Sequence, residues 1–276
     1  MTGLLLHLAP IRVVAAKEFR ERLRNRWVLA VALTFTSLAL VIAYFGSAQQ
    51  GTVGFHSIDL TIASLVSLVI YLVPLIALML GFDAIVGERE RGSLGLLLSM
   101  PVTRTEVLVG KYVGLAGALT ASTVAGFGLV AVVLAADLTP SDFLHYLLFM
   151  ASSVLLGLAF LSLAVMISVF ASTRAGASGV TVGLWLFFVL IFDLLMLGGL
   201  VLSGGGFGGD VLPYLLLLNP ADVFRVLNIV SLDEVRTLNG LATVFPGALS
   251  SPALLVAMMA VWMVAPLAIA AWRFRR

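Results

Sequence analysis

Residues 83–111 read DAIVGERERGSLGLLLSMPVTRTEVLVGK and separate two long apolar runs. This 83–111 segment holds eight of the thirty Lys, Arg, Asp and Glu residues of the chain: Asp83, Glu88, Arg89, Glu90, Arg91, Arg104, Glu106 and Lys111. Such a cluster is costly in hydrocarbon, so we expect the segment to lie outside a membrane while the runs on either side of it cross one.

The first half of the 83–111 segment predicts a short helix from Glu88 to Leu98, charged at its start and apolar at its end. Glu88 and Arg91 are three residues apart and can meet on one helical face. Leucines follow, and Pro101 disfavours helical backbone at the residue before it, so it is expected to end the helix. A helix of this kind lies flat at the membrane surface and offers a docking surface. The alternative is an ordinary charged loop of a membrane protein.

Composition indicates an all-α integral membrane protein. The chain has 276 residues, of which 61% are hydrophobic and 11% charged, whereas a soluble domain has about 25% charged residues. About six apolar runs reach the roughly 20 residues that a transmembrane helix needs, and they lack the alternation of barrel strands. No Lys/Arg block is long enough to follow a nucleic-acid backbone. The absence of cysteine excludes disulfides, thiolate metal sites and a cysteine nucleophile.

The apolar runs divide the chain into an entry helix, a membrane domain and a tail. In residues 1–26, Ile11, Ala15, Phe19 and Leu23 recur every four residues, which predicts an amphipathic elbow helix in the membrane interface. The other predicted divisions are a six-helix membrane domain, an outer segment within it and a cytoplasmic tail, at 27–272, 203–251 and 273–276. The six spans are expected at 27–45, 62–82, 112–134, 143–170, 177–202 and 252–272.

The distribution of positive charge predicts the orientation. Of the sixteen Lys and Arg residues, fourteen lie in residues 1–26, the 83–111 segment, the turn at Arg174 and the tail. Because cytoplasmic loops are enriched in Lys and Arg, these four regions are predicted to be cytoplasmic, with both termini inside. The chain lacks a Walker A pattern and therefore has no recognisable ATP site of its own.

Asp193 is the one candidate functional residue within the predicted spans. An ionisable side chain in the middle of the fifth span is costly and is a functional candidate by default. The alternative is a structural carboxyl that faces the bundle interior, protonated or hydrogen-bonded. Three histidines, at His7, His56 and His145, have no ligand spacing, and no nucleophile–base set is visible, so neither a metal site nor a catalytic residue is predicted.

Two motifs resemble those of the ABC-2 type permeases, and the resemblance covers nearly the whole chain. One is the entry Lys17-Glu18-Phe19-Arg20. The other is a run within the 83–111 segment: Glu90, Arg91, Gly92, Ser93, Leu97, Leu98, Pro101, Val102, Thr103, Arg104 and Glu106, with Gly110 and Lys111 after it. The stretch 218–225, LNPADVFR, also resembles a segment of one subgroup, the NosY-like permeases of nitrous oxide reductase maturation, with which chain length and layout agree.

The resemblance implies a homodimer of six-span subunits in the bacterial inner membrane. Each subunit would bind a NosF-like cytoplasmic ATPase, which would hold ATP and Mg²⁺, and a periplasmic NosD-like protein would dock outside. The implied ATPase-coupling residues are Glu88, Arg89, Glu90, Arg91, Gly92, Ser93, Pro101 and Arg104, together with the elbow residues Lys17, Glu18, Phe19 and Arg20. The implied outer partner contact is made by Asn219, Pro220, Asp222 and Arg225.

The process implied is assembly of the copper sites of nitrous oxide reductase. Export of a sulfur species, export of copper and transmission of mechanical force alone all stay open at this point. Two other functions also stay open. An ABC-2 exporter of a drug or lipid would transport that molecule without a periplasmic partner. A non-transporting intramembrane enzyme would need a converging polar set within the spans, where Asp193 alone is evident.

Overall fold

A computed structural model describes residues 8–24, 26–45, 58–134, 139–204, 211–230 and 251–275, and the regular elements in these ranges are all helices. They are α1 (Leu8–Leu23), α2 (Arg26–Phe45), α3 (Ile58–Gly81), α4 (Val86–Glu90), α5 (Ser93–Leu98), α6 (Arg104–Leu134), α7 (Pro140–Phe170), α8 (Arg174–Leu186), α9 (Phe192–Leu202), α10 (Leu212–Leu216), α11 (Pro220–Val230) and α12 (Pro252–Arg275). A π-helical turn, Phe187–Ile191, joins α8 to α9.

Five helical stretches are long and apolar enough to cross a membrane: Thr61–Glu90, Arg104–Leu134, Pro140–Phe170, Arg174–Leu202 and Pro252–Arg275. The predicted class, an all-α integral membrane protein, is therefore confirmed. Helix α2 coincides with the first predicted span, 27–45, and the count of six stays a prediction. Helix α6 begins at Arg104, eight residues before the predicted span, because its charged first turns are helical as well as its apolar part.

Helix α7 is the most buried of the five and forms the centre of the bundle. Helices α3, α6, α11 and α12 pack around it. Its Phe149 ring lies 5.1 Å from Phe127 of α6 and 6.3 Å from Phe224 of α11, measured between ring centroids. Such tilted and edge-on aromatic contacts stabilise a core beyond the area that they bury. The centre of the protein is thus apolar and aromatic, and charged groups are placed around it.

Helix α1 lies lengthwise along the first turns of α6, in a groove lined by glycine. A Cβ atom added at Gly114 would lie 2.6 Å from the carbonyl oxygen of Ala15, and one at Gly110 would lie 2.8 Å from Cβ of Val14. The absence of side chains there allows the two backbones to approach closely. The face of α1 that carries Ile11 and Phe19 therefore contacts α6, whereas the four-residue repeat predicts a helix in the membrane interface.

The 83–111 segment differs from its prediction in one respect. In place of one helix from Glu88 to Leu98, the structure has two short helices, α4 and α5, separated at Gly92. Gly92 has φ of 73°, a left-handed conformation that glycine adopts without the steric penalty of a side chain. The turn redirects the chain after Arg91, which caps α4, and Glu88 pairs with Lys111.

Helix α11, within the predicted outer segment 203–251, is buried in the bundle. It packs against α7, α12 and α3. Trp262, ten residues into α12, donates a hydrogen bond from Nε1 to the carbonyl of Leu217 at 3.2 Å, just before α11 begins. The chain therefore re-enters the bundle after the fifth span. Residues 205–210 and 231–250 of the outer segment lie outside the described residues, as do His7 and His56.

Candidate functional site

Lys111 is the centre of a buried group of charges where the 83–111 segment meets α1. Its ammonium lies 2.7 Å from Oε1 of Glu88 on α4 and 3.0 Å from Oε2 of Glu18 on α1. The side chains of Lys111 and Glu18 are only 4% and 6% exposed. Charges at this depth are stable only when they are paired with good geometry, and here one cation is shared by two carboxylates.

Two arginines extend this group towards the turn between α7 and α8. Arg22 on α1 lies 3.3 Å from Glu18 and 3.2 Å from Asp83, and Arg174 at the start of α8 lies 3.1 Å from the other oxygen of Asp83. We call the six residues Glu18, Arg22, Asp83, Glu88, Lys111 and Arg174 the ionic cluster. It contains three cations and three anions, so its formal charge is zero, and it joins α1, α4, α6 and α8.

Helix α4 is also anchored to the end of α7. The hydroxyl oxygen of Ser168 accepts hydrogen bonds from the backbone N–H groups of Ile85 and Val86, at 2.9 and 3.0 Å. Arg89 donates to the carbonyls of Ala171 and Val169, at 2.7 and 3.3 Å, which satisfies groups that the end of α7 leaves free. Glu90 in turn accepts a hydrogen bond from the backbone N–H of Arg174 at 2.7 Å. Helix α4 is therefore fixed on several sides.

Helix α5 contrasts with α4, because none of its residues is buried. Leu96 is 73% exposed, and Arg91, Gly92, Met100 and Pro101 beside the helix are exposed too. Ser93, at the first position of α5, is half-buried and donates a 3.4 Å hydrogen bond to the carbonyl of Glu88. Of the predicted coupling residues, Glu88 thus belongs to the ionic cluster, and Arg91 to Pro101 form an exposed surface.

The last residues of the motif in the 83–111 segment, Thr103 to Glu106, form the start of α6. The backbone N–H of Thr103 donates to the Glu106 carboxylate at 2.8 Å, and the N–H of Glu106 donates to the Thr103 hydroxyl at 3.2 Å. This reciprocal pair is a capping box, which satisfies two backbone donors at a helix start. Arg104, between them, donates to the carbonyl of Phe274 at 3.4 Å. The C-terminal end of α12 therefore lies at the same end of the bundle.

The predicted elbow residues have different surroundings. Glu18 is in the ionic cluster, and Phe19 packs on α6, where a Cβ at Gly117 would lie 3.2 Å from its ring. Lys17 and Arg20 are exposed, and Lys17 pairs with Glu21 at 3.6 Å. Of the four residues of the entry motif, Glu18 alone thus belongs to the ionic cluster.

Asp193 pairs with Arg225 near the start of α9. The Nη2 atom of Arg225 lies 2.9 Å from Oδ2 of Asp193, and its Nη1 atom lies 2.7 Å from Oδ1 of Asp222. The amide of Asn219 donates to Asp222 and to the carbonyl of Phe188 in the π-helical turn, both at 2.8 Å. We call Asp193, Asn219, Asp222 and Arg225 the Asp193 cluster. The side chain of Asp193 is hydrogen-bonded, as the structural alternative expects. It is also partly exposed, so the functional alternative stays open.

The predicted outer partner contact needs correction. Asn219, Pro220 and Asp222 are buried within the chain, so a partner protein cannot contact their side chains. Arg225 alone of the four is half-buried. Burial raises the pKa of Asp222 to about 7, an effect that neighbouring Arg225 opposes. The polar residues of this stretch satisfy one another inside the bundle instead of forming a surface.

Sequence reasoning did not identify Arg22, Asp83, Lys111, Ser168 or Arg174 as site residues. A signal for one of them, Arg22, exists in α1, where Ile11, Ala15, Glu18 and Arg22 follow one another at spacings of four, three and four, the spacing of a single helical face. Charged residues on the face that packs against a neighbouring helix indicate buried ion pairs. Ser168 has no comparable signal. Among the described residues, no group of three or more His, Cys, Asp or Glu could hold a metal ion.

Comparison with known proteins identifies similar sequences over almost the full length. The sequence profile described as "ABC-2 family transporter protein" matches residues 12–276. A protein of Pseudomonas aeruginosa named "Probable ABC transporter permease protein NosY" is 46% identical over 270 residues, which cover 95% of this chain and 97% of that protein. A protein of Stutzerimonas stutzeri with the same name is 46% identical over 220 residues, which cover 78% of this chain and 80% of that protein.

Proposed function

The chain belongs to the ABC-2 family of transporter permeases, and from this premise we propose that it couples ATP hydrolysis by a separate cytoplasmic ATPase to export or force transmission across the bacterial inner membrane. As a permease subunit it contributes the membrane-spanning part of an ABC transporter. ATP and Mg²⁺ would be bound by the ATPase, since this sequence has no Walker A pattern. The expected assembly is a homodimer with one ATPase on each subunit.

The observation that carries this proposal is the contrast between α4 and α5. Helix α5 presents Leu96 and its exposed neighbours at the surface, where an ATPase could bury apolar area. Helix α4, which directly precedes α5 in the chain, is joined by the ionic cluster to α1, α6 and α8. A displacement of α5 would therefore be passed to several spans together. The exposed residues Lys17 and Arg20 of the elbow would add a second contact.

The arrangement of basic segments supports a cytoplasmic position for this end. Arg22, Lys111 and Arg174 meet within the ionic cluster, and Arg275 of α12 donates to the hydroxyl of Thr105 at 3.1 Å. All four regions that carry the excess of Lys and Arg thus lie at one end of the bundle. Because positive charge is retained on the cytoplasmic side, we place this end, and both termini, in the cytoplasm.

The names of the two relatives support the finer proposal that this permease serves nitrous oxide reductase maturation. In that setting the ATPase would be NosF-like, and a NosD-like periplasmic protein would dock at the opposite end, where copper sites are assembled. The burial of Asn219, Pro220 and Asp222 moves the expected contact to other residues of that end. Whether a sulfur species, copper or force alone crosses the membrane, the same contact at α5 would drive it.

The test is Leu96→Asp, with Leu96→Met as the control at the same position. Aspartate places a charge in the proposed apolar contact, whereas methionine keeps a similar apolar volume. We expect Leu96→Asp to insert normally, to lose the ATPase band when the tagged permease is purified from detergent, and to lose copper-loaded nitrous oxide reductase in cells. A normal ATPase band with Leu96→Asp would refute the docking surface. Normal nitrous oxide reductase in a strain without the gene would refute the maturation role and favour a drug or lipid exporter.

A further inference from the structure

Helix α9 stands apart from the rest of the bundle, although it continues the same span as α8. Leu194, Leu197 and Val201 are all more than half exposed. Among the described residues, α9 packs substantially only on the π-helical turn that precedes it. The ion pair between Asp193 and Arg225 is thus its main link to another helix. Within the chain, two attachments therefore hold α9 in place.

The first attachment is the π-helical turn, Phe187–Ile191. A π turn holds one residue more than an α-helical turn, and it is a common position for a helix to bend. Its buried side is fixed, because Phe188 packs against Phe160 and Trp262 and its carbonyl accepts the Asn219 amide at 2.8 Å. Helix α8 and this side of the turn therefore stay in place, and bending at the turn would move α9 alone.

The second attachment is the ion pair. The side chains of Asp193 and Arg225 are 39% and 34% exposed, so the pair is far less removed from water than the ionic cluster. When Asp193 leaves, Arg225 keeps Asp222 at 2.7 Å, and no guanidinium is left unpaired. Opening this pair therefore avoids the large cost of stranding a buried charge. Ionisable side chains within membrane spans almost always face the bundle interior or a water-filled cavity, and Asp193 faces α11.

We propose that α9 is a hinged segment that bends at the π-helical turn and is held against α11 by the Asp193–Arg225 ion pair. Opening of the ion pair releases α9 from α11 and widens the space between these two helices. This proposal concerns the end of the bundle opposite α5, and its test does not depend on the ATPase. It assigns Asp193 a positioning role, since the side chain acts through its contact with Arg225.

The test uses spin labels on the full-length permease in lipid nanodiscs. Because the chain has no cysteine, Leu197→Cys places a single label on α9, and Val180→Cys places one on α8, before the hinge. The two positions are 59% and 57% exposed, so the labels start from similar surroundings. Each label is measured by electron paramagnetic resonance with Asp193 intact and in Asp193→Asn.

We expect Asp193→Asn to speed the motion of the Leu197 label by about twofold or more and to leave the Val180 label unchanged. Asp193→Glu keeps a carboxylate and should preserve the slow motion. Asp193→Leu removes the ion pair without leaving a polar group and should reproduce the effect, which covers the case in which the amide variant fails to fold. An unchanged Leu197 label in the neutral variants, or an equal change at Val180, would overturn the proposal.

Discussion

The ionic cluster and the Asp193 cluster lie towards opposite ends of the spans and differ in how far their charges are removed from water. In the ionic cluster, Lys111 lies between Glu18 and Glu88 and almost no part of it is exposed. In the Asp193 cluster, one arginine is shared by two aspartates, and about a third of its side chain is exposed. The first arrangement fixes four helices in one geometry. The second can lose one contact and keep another.

The largest expected effect tests on which side of the membrane each cluster lies. Ser172, in the turn beside Arg174, and Ser203, just after α9, are both exposed. We expect an impermeant thiol reagent to label Ser203→Cys in intact cells or spheroplasts and to label Ser172→Cys only after permeabilisation. Labelling of Ser172→Cys from outside would reverse the orientation and place the ionic cluster in the periplasm.

Removal of Lys111, the central cation of the ionic cluster, should lower the unfolding free energy much more than a change in the Asp193 cluster. In Lys111→Met the carboxylates of Glu18 and Glu88 lose their shared partner while buried, and breaking a buried pair costs about 3–5 kcal/mol. Thermal or denaturant unfolding of the purified permease in detergent would measure this loss. Lys17→Met is the matched control, because its partner Glu21 is exposed and such pairs contribute about 0–1 kcal/mol. Equal losses in the two variants would show that burial of the cluster is unimportant.

The smallest expected effect on stability is that of Asp193→Leu. Arg225 retains Asp222, and an apolar side chain suits the exposed face of α9, so we expect a change in unfolding free energy of less than about 1 kcal/mol. ATPase association should persist, because α5 is distant, while maturation of nitrous oxide reductase falls. A loss of stability as large as that of Lys111→Met would make the Asp193 cluster structural, and full maturation activity would deny it a role in the mechanism.

The sequence predicts the apolar helices well because hydrophobic length is a local property. Helix ends at Phe45, Leu134, Phe170 and Leu202 coincide with the ends of predicted spans. Small residues let helices approach closely, and Gly114, Gly117 and Gly126 of α6 do lie close against neighbouring helices. Gly128 has open space beside it although it lies about three helical turns after Gly117 on the same side, because α1 packs only along the first turns of α6.

The charged contacts are less predictable, because they join residues that are distant in sequence. Glu18 and Lys111 are 93 residues apart, and Arg22 and Asp83 are 61 apart. Composition assigns these residues to one side of the membrane but cannot say which side chains meet. The break at Gly92 was missed for another reason: glycine tolerates both helical and left-handed backbone, so its presence alone did not decide between one helix and two.

The position of α11 in the chain has a consequence for synthesis. Asn219 and Arg225 follow their partners Phe188 and Asp193 by 31 and 32 residues. At roughly 5–20 residues per second, a ribosome needs a few seconds to make that stretch. During this interval the fifth span exists without the amide that completes its π-helical turn and without the guanidinium that neutralises its carboxylate. Translational pausing between residues 193 and 225 would prolong this exposure, and a chain terminated there would enter the membrane with a carboxyl group for quality-control proteases to detect.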